Sequence, residues 1–152
     1  MSTIRSLFII LLMFTASFAQ ASSTDELQQT LKEAKGQVVY LDFWASWCGP
    51  CRKSFPWLNA MQAKYKNQGF RVISVNVDAE RSLADKFLQA LPAHFDVIYD
   101  PKGKIARQFK LKGMPSSYLI NKQGDIVSGH VGFIDNKKAT YEQEIVHLIQ
   151  QK

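Results

Sequence analysis

The sequence predicts one α/β domain in which helices cover both faces of a mixed β-sheet. Segments with strand and helix periodicity alternate along the 152 residues, in the order βαβαβ and then ββα. Residues 38–44 are apolar almost throughout, which is typical of a strand covered on both faces. A hairpin pattern precedes the last helical segment. Because 46% of the residues are hydrophobic, the chain can fill such a core without disulfide staples or a structural metal.

The first 21 residues are expected to be a cleaved secretory signal peptide, which leaves residues 22–152 as the domain. Arg5 provides the positive start, residues 7–14 form the apolar stretch, and residues 19–21 form a small-x-small cleavage pattern. The apolar stretch is shorter than the roughly 20 residues that span a bilayer. An uncleaved N-terminal anchor is the alternative. We therefore expect the domain to function outside the cytoplasm.

Two helices are predicted on either side of the apolar strand. The first covers residues 25–35, begins with acidic residues and is capped by Ser23 or Thr24. The second covers residues 49–67 and carries apolar side chains at helical spacing. Pro56 lies inside it and is expected to bend it, because proline removes a backbone donor and crowds the preceding turn.

The remaining elements follow from strand alternation, turn residues and helical spacing. In chain order they are a strand at 70–77, a helix at 80–90, a strand at 95–99, a helix at 105–109, a hairpin of 117–120 with 126–131, and a helix at 137–150. In the helix at 80–90, the side chains expected to face the core are Leu83, Phe87 and Leu88.

The formal net charge of +6 arises from basic residues that are scattered among acidic ones. A nucleic-acid-binding surface would cluster Lys and Arg and interleave them with exposed aromatic side chains. The pattern favours a basic soluble surface, and no nucleic-acid partner is expected. His94, His130 and His147 are scattered along the chain and are assigned no role.

The chemistry is expected at the two cysteines, Cys48 and Cys51, which lie between the apolar strand and the second helix. A bridge across so short a loop adds little stability, so the pair is a poor structural staple. Unpaired N–H groups and the helix dipole stabilise a thiolate at a helix start, and the thiolate is the attacking species in disulfide exchange. Cys48 is therefore expected to attack a partner disulfide, and the more buried Cys51 to resolve the mixed disulfide.

The string Trp47-Cys48-Gly49-Pro50-Cys51 resembles the motif of the thioredoxin superfamily. Asp42 matches the buried aspartate of that superfamily, Pro56 its helix-kinking proline, Gly113-Met114-Pro115 its cis-proline loop, and Gly132 a glycine beside its substrate groove. The signal peptide and the extra helix–strand segment at 80–99 are similar to the exported TlpA/ResA-like branch. The resemblance implies a thioredoxin-like fold with this segment inserted before the cis-proline loop.

The same resemblance implies an exported thiol–disulfide oxidoreductase, acting as a disulfide reductase on periplasmic proteins, with cytochrome c maturation as one setting. Its partners would be disulfide-bonded client proteins and a membrane thiol donor, with no cofactor, no metal and a monomeric state. The chain departs from the branch in the Gly-Pro pair between its cysteines, and from thioredoxins in Ser74, where they carry a lysine.

Site roles follow from the residues together with the resemblance. The catalytic residues are expected to be Cys48, Cys51 and Asp42, whose carboxyl should have a raised pKa in an apolar strand and take the proton of Cys51. A solvated strand-end carboxylate is the alternative for Asp42. The expected substrate-binding residues are Trp47, Gly49, Pro50, Met114, Pro115 and Gly132.

Within that set, a cis Pro115 would expose the Met114 backbone for pairing with a substrate peptide. Trp47 is expected to be exposed beside Cys48, and Trp44 to lie in the core. Arg52 and Lys53 either favour the thiolate or belong to a solvated helix face.

Other uses of the cysteine pair remain as alternatives. The spacing of the two cysteines also fits a structural disulfide bridge or half of a metal site. An exported copper chaperone would hold the metal on the two thiolates, and a thiol peroxidase would share the fold.

Overall fold

The computed structural model describes residues 22–151. The elements in chain order are α1 (Ser23–Glu33), β1 (Val38–Trp44), α2 (Gly49–Tyr65), β2 (Phe70–Asn76), α3 (Arg81–Ala90), β3 (Asp96–Tyr99), α4 (Lys104–Gln108), β4 (Ser116–Ile120), β5 (Ile126–Val131) and α5 (Lys138–Gln150). Short 3₁₀ turns at Lys66–Gln68 and Asp135–Lys137 follow α2 and precede α5. The expected signal peptide lies outside the described residues. None of the helices in the described part is long and apolar enough to cross a membrane.

The five strands form one mixed sheet in the order β3-β2-β1-β4-β5. β1, β2 and β3 are parallel, whereas β4 runs antiparallel to β1 and β5 antiparallel to β4. The predicted α/β class and the mixed sheet are confirmed. The expected helix–strand segment before the cis-proline loop is present as α3 and β3, and β3 forms one edge of the sheet.

Alternation along the central strand β1 determines what faces each helix layer. Val38, Tyr40 and Trp44 pack on the side of α2 and α5. The residues at positions 39, 41 and 43 pack on the side of α1 and α4. Asp42 falls between Tyr40 and Trp44 in this alternation, so its carboxyl faces the helix that carries the cysteines.

An aromatic cluster joins α2 and α3 to the end of β1. The Trp44 ring lies 4.8 Å from that of Phe55 and 4.7 Å from that of Phe87, and all three side chains are buried. The expectation that Leu83 faces the core is wrong, since it is 39% exposed. The buried face of α3 is centred on Ala84 and Phe87, and Leu83 lies at its margin in the first turn.

Helices α1 and α2 differ most from their predicted bounds. α1 is capped by Ser22, not by Ser23 or Thr24, because the Ser22 hydroxyl accepts the N–H of Asp25 and the Asp25 carboxylate accepts the N–H of Ser22. The helix consequently starts at Ser23, two residues earlier than predicted; it ends at Glu33, two residues before the predicted end. α2 ends at Tyr65, two residues before the predicted end, because the chain tightens there into a 3₁₀ turn.

Candidate active site

The cysteine pair is positioned by the junction of β1 and α2. Cys48 is the N-cap of α2 and is joined to Cys51 by a disulfide, so the structure represents the oxidised state. Cys48 retains 3% exposure and Cys51 none. Trp47, next to Cys48, is 68% exposed, whereas Trp44 is buried, as predicted for both. A partner can therefore approach Cys48 beside an exposed indole, while Cys51 faces the interior.

The helix start provides a favourable field for a charged sulfur at Cys48. The backbone N–H of Cys51 donates to the Sγ of Cys48 across 3.3 Å. This contact adds to the positive end of the α2 dipole, and both favour the thiolate over the thiol. The neighbouring basic side chains are engaged elsewhere: the Arg52 guanidinium lies over the Phe87 ring, and Lys53 pairs with Asp135.

The loop that leads into Cys48 is held by a residue that the sequence analysis did not identify. The buried carboxylate of Asp78 accepts the backbone N–H of Ser46 at 2.9 Å, the Ser46 hydroxyl at 2.9 Å and the Asn76 amide at 2.8 Å. A signal was available, because polar residues that follow one parallel strand lie near the end of the next. Asn76 ends β2, and Asp78 follows it beside the end of β1.

The carboxyl of Asp42 is buried in the middle of the sheet. In the sheet it lies opposite Ser74 on one side and Ser117 on the other. Ser74 binds the Trp44 indole and the Asp96 carbonyl, and Ser117 binds the Tyr40 hydroxyl. Among residues 22–151, Oδ2 of Asp42 has no hydrogen-bond partner. Burial therefore raises the pKa of Asp42 well above its ordinary value.

The third component of the site is the loop before β4. The Met114–Pro115 peptide bond is cis, and Met114 packs against the buried cluster that contains both cysteines. The N–H of Gly132 donates to the Pro115 carbonyl at 2.7 Å, and Gly132 has a φ of +81°, which favours glycine. Gly113 permits a close approach, because a Cβ there would lie 2.9 Å from a methyl carbon of Val131.

The structure thus brings together residues that are far apart in the sequence. Cys48, Cys51 and Met114 share one cluster, Asp42 faces the same helix, and Gly132 is bonded to the cis-proline loop. Of the histidines, His94 and His147 are at the surface, and His130 is largely buried against α5. Within the described part of the chain, no group of three or more His, Cys, Asp or Glu side chains could hold a metal ion.

Comparison with known proteins agrees with this site. A family model described as Redoxin matches residues 14–145. The thiol-disulfide oxidoreductase ResA of Bacillus cereus (strain ZK / E33L) is 34% identical over 102 residues, which is 67% of this chain and 59% of that protein. ResA of Bacillus subtilis (strain 168) is 31% identical over 97 residues, which is 64% of this chain and 54% of that protein. The chain therefore spans less than two thirds of these curated relatives.

Solved structures extend the similarity. A Chlorobium tepidum protein provisionally assigned as the thiol:disulfide interchange protein DsbE has a TM-score of 0.77 and 54% identity, covering 78% of this chain and 84% of that one. StoA of Bacillus subtilis has a TM-score of 0.61 and 25% identity, covering 72% of this chain and 84% of that one.

Fold, cysteine pair and cis-proline loop together define a thioredoxin-like protein. The chain belongs to the Redoxin family, and its resemblance to the TlpA/ResA-like branch of the thioredoxin superfamily is confirmed. Its named relatives in that branch are thiol-disulfide oxidoreductases.

Proposed function

We propose that this protein is an exported thiol–disulfide oxidoreductase that reduces disulfides of client proteins, with Cys48 as the attacking and Cys51 as the resolving cysteine. One observation carries the proposal: Sγ of Cys48 caps α2 and accepts the N–H of Cys51, so the helix start favours the reactive thiolate. The names of the relatives support the same chemistry.

The first half-reaction starts from the reduced cysteine pair. The thiolate of Cys48 attacks one sulfur of the client disulfide and forms a mixed disulfide. The electron pair of the broken S–S bond leaves with the second client sulfur, which departs as a thiolate and takes up a proton.

The second half-reaction releases the client. The Cys51 thiol transfers its proton to the carboxylate of Asp42, and the resulting thiolate attacks Sγ of Cys48. The enzyme disulfide forms, and the first client sulfur leaves with the electron pair of the mixed disulfide as a thiolate, which takes up a proton from water. The client has gained two electrons and two protons in all, and a membrane thiol donor would return the enzyme to its dithiol form.

Asp42 suits the role of proton acceptor because of where it lies. It faces α2, and its Oδ2 has no hydrogen-bond partner among the described residues to compete for the proton. Its raised pKa makes it a stronger base than an ordinary aspartate. The buried Cys51 has no exposure through which solvent could take the proton instead.

Client binding is proposed at the cis-proline loop and the helix start. The Met114 backbone would pair with an extended client segment, as a strand is added to an exposed edge. Trp47, Gly49 and Pro50 would contact the client beside Cys48, and Gly132 supports the loop through Pro115. No metal or cofactor is required for these steps, and a monomer suffices.

The cellular location and the class of client proteins are proposed from the sequence. The signal-peptide pattern in the first 21 residues supports a periplasmic protein. The resemblance to the TlpA/ResA-like branch makes proteins of cytochrome c maturation one class of client. Gly-Pro between the cysteines supports the reducing direction, since thioredoxin has a potential of about −270 mV and strong oxidants lie near about −120 mV.

Two measurements test the proposal. Equilibration of residues 22–152 with dithiothreitol buffers should give a potential in the thioredoxin range, and a value near the strong oxidants would reverse the direction. A Cys51→Ser variant should retain clients as mixed disulfides in a periplasmic extract, because it can attack but cannot release. Cys48→Ser is the matched control and should retain none. Equal capture by both variants would contradict the assigned order of attack.

A further inference from the structure

One segment of the chain holds its whole excess of positive charge. Residues 101–124 contain six basic side chains and no acidic one, and the rest of the chain has as many acidic as basic residues. The mixture of basic and acidic residues that holds elsewhere does not hold here. The sixth basic residue, Lys122, is used in the fold, since its Nζ donates to the carbonyls of Ile149 and Gln151. The other five are exposed and are here named the basic strip: Lys102, Lys104, Arg107, Lys110 and Lys112.

The basic strip leads directly into the loop where the client is proposed to bind. It follows α4 and the turns on either side of that helix, and Lys112 comes two residues before Met114. Arg107 holds the strip together, because its guanidinium donates to the Lys102 carbonyl at 2.8 Å. Consecutive Cα atoms are about 3.8 Å apart, and a lysine ammonium is carried on a long flexible stem. The Lys112 ammonium can therefore reach a client segment that passes Met114.

The charges of the basic strip are largely uncompensated within residues 22–151. The ion pairs in this part of the chain all involve other basic side chains. Two acids face the start of α4. The buried carboxylate of Asp100 accepts the backbone N–H groups of Lys104 and Ala106. The pKa of Asp25 is lowered mainly by its hydrogen bonds to Ser22, and Lys104 adds the smallest contribution. Both acids act at the Lys104 end of the strip, away from the cis-proline loop.

Within the strip, Lys110 lies where glycine is the usual residue. Its φ is +50°, in the left-handed region, and it is the one residue among 22–151 with a positive φ that is not glycine. The N–H of Lys110 donates to the Arg107 carbonyl and that of Leu111 to the Ala106 carbonyl, which closes the end of α4. Glycine is common at this position because a Cβ adds strain there. A lysine at a strained, exposed position indicates a use of its charge outside folding.

The surroundings of the strip favour an acidic polypeptide as its partner. A membrane-binding surface combines cations with exposed apolar side chains, and a nucleic-acid-binding surface interleaves them with exposed aromatic ones. The apolar residues between these cations are turned inward: Ile105 is buried, and Phe109 and Leu111 pack against the core. The strip therefore presents charge alone, and it presents that charge beside the loop proposed to bind a polypeptide.

We propose that the basic strip binds an acidic segment of the client protein and thereby favours acidic clients. The inference rests on the proposed function, in which the Met114 backbone pairs with the client. Opposite charge draws the acidic segment to this side of the cis-proline loop and orients the client before its disulfide meets Cys48. Salt weakens the attraction, because exposed charges are screened beyond about 8 Å at physiological ionic strength.

The test compares two client peptides that contain the same disulfide loop and differ only in a flanking run of Glu or of Gln residues. The reduced protein should react with the Glu peptide about tenfold faster at low ionic strength, within the 10–10³-fold range of electrostatic steering. Added NaCl should abolish the difference. A strip variant with Lys102→Gln, Lys110→Gln and Lys112→Gln should bring the ratio of the two rates close to one. A strip variant that keeps the wild-type ratio would overturn the proposal.

The matched control carries Lys32→Gln, Lys35→Gln and Lys66→Gln. It removes the same charge from exposed lysines at the opposite end of the sheet, near the starts of β1 and β2. The control should keep the preference for the Glu peptide. An equal fall of the ratio in both triple variants would show that the total charge attracts the client, and the strip would lose its assigned role.

Lys110→Gly separates the charge from the fold. It removes the strain together with the ammonium, so it should lower the rate ratio without lowering Tm. A lower Tm with an unchanged ratio would mark a structural residue and count against the strip. Binding of the wild type to phosphatidylglycerol vesicles, with equal rates for the two peptides, would assign the strip to a lipid surface instead. The two proposals fail differently: a wild type that reduces neither peptide refutes the reductase, whereas one that reduces both at the same rate refutes the strip alone.

Discussion

Substitution of Asp42 by asparagine should change how stability depends on pH. A carboxyl whose pKa is higher in the folded than in the unfolded chain holds its proton in the folded state over a range where the unfolded chain has lost it. In that range, stability falls as pH rises, by about 1.4 kcal/mol per pH unit for one proton. The range starts near the unfolded value of about pH 4 and ends at the raised pKa of Asp42.

The asparagine side chain has nearly the same shape but no titratable proton. The fall in stability with rising pH that Asp42 causes should therefore be absent from the variant. The difference in free energy of unfolding between Asp42→Asn and wild type should therefore grow with pH and then level off. Any constant cost of the buried amide shifts the whole curve and leaves its slope unchanged. The pH at which the difference levels off measures the pKa of the buried carboxyl.

The assay is urea unfolding of the oxidised protein at a series of pH values, with the free energy extrapolated to water. Asp125→Asn removes an exposed carboxylate from the turn between β4 and β5 and provides the control. A difference between Asp42→Asn and wild type that stays constant with pH would refute the assignment of a raised pKa, and with it the basis for proton transfer from Cys51.

Three further predictions concern the support of the site. Asp78→Ala should lower the free energy of unfolding in urea by about 3 kcal/mol, because it leaves Ser46 unpartnered; an unchanged midpoint would refute this. Trp47→Ala should raise the KM for a disulfide client and change Tm little, since the indole is exposed; unaltered kinetics would exclude it as a contact. Gly113→Ala should lower Tm, and a second change, Val131→Ala, should recover much of the loss if the 2.9 Å approach is the cause.

Patterns that are local in the chain were predicted well. β1 and β5 have the predicted bounds, because apolar and β-branched runs limit a strand from both ends. The cysteine pair, the exposed Trp47 and the buried Trp44 also lie where the motif indicates. The Ser22 cap was readable, since a serine followed by an acid three residues later is a known helix start, but two other candidate caps lay next to it.

Features that depend on register or on distant contacts were not predicted. The hydrogen bonds between Asp78 and Ser46 join residues 32 positions apart, and only the order of the parallel strands, not the local periodicity, could indicate them. The position of Ser117 opposite Asp42 requires the pairing of β1 with β4 to be known, because a shift of one residue would turn Ser117 to the other face.

The central place of β1 has a mechanical consequence. Its backbone is hydrogen-bonded to β2 on one side and to β4 on the other, and Cys48, the cysteine proposed to attack the client, follows it by four residues. Strands of this kind open only when the whole domain unfolds. A client bound to Cys48 as a mixed disulfide therefore pulls on a strand that is held on both sides. Thermal motion of the client should move the client and the disulfide link before it moves the backbone at Cys48.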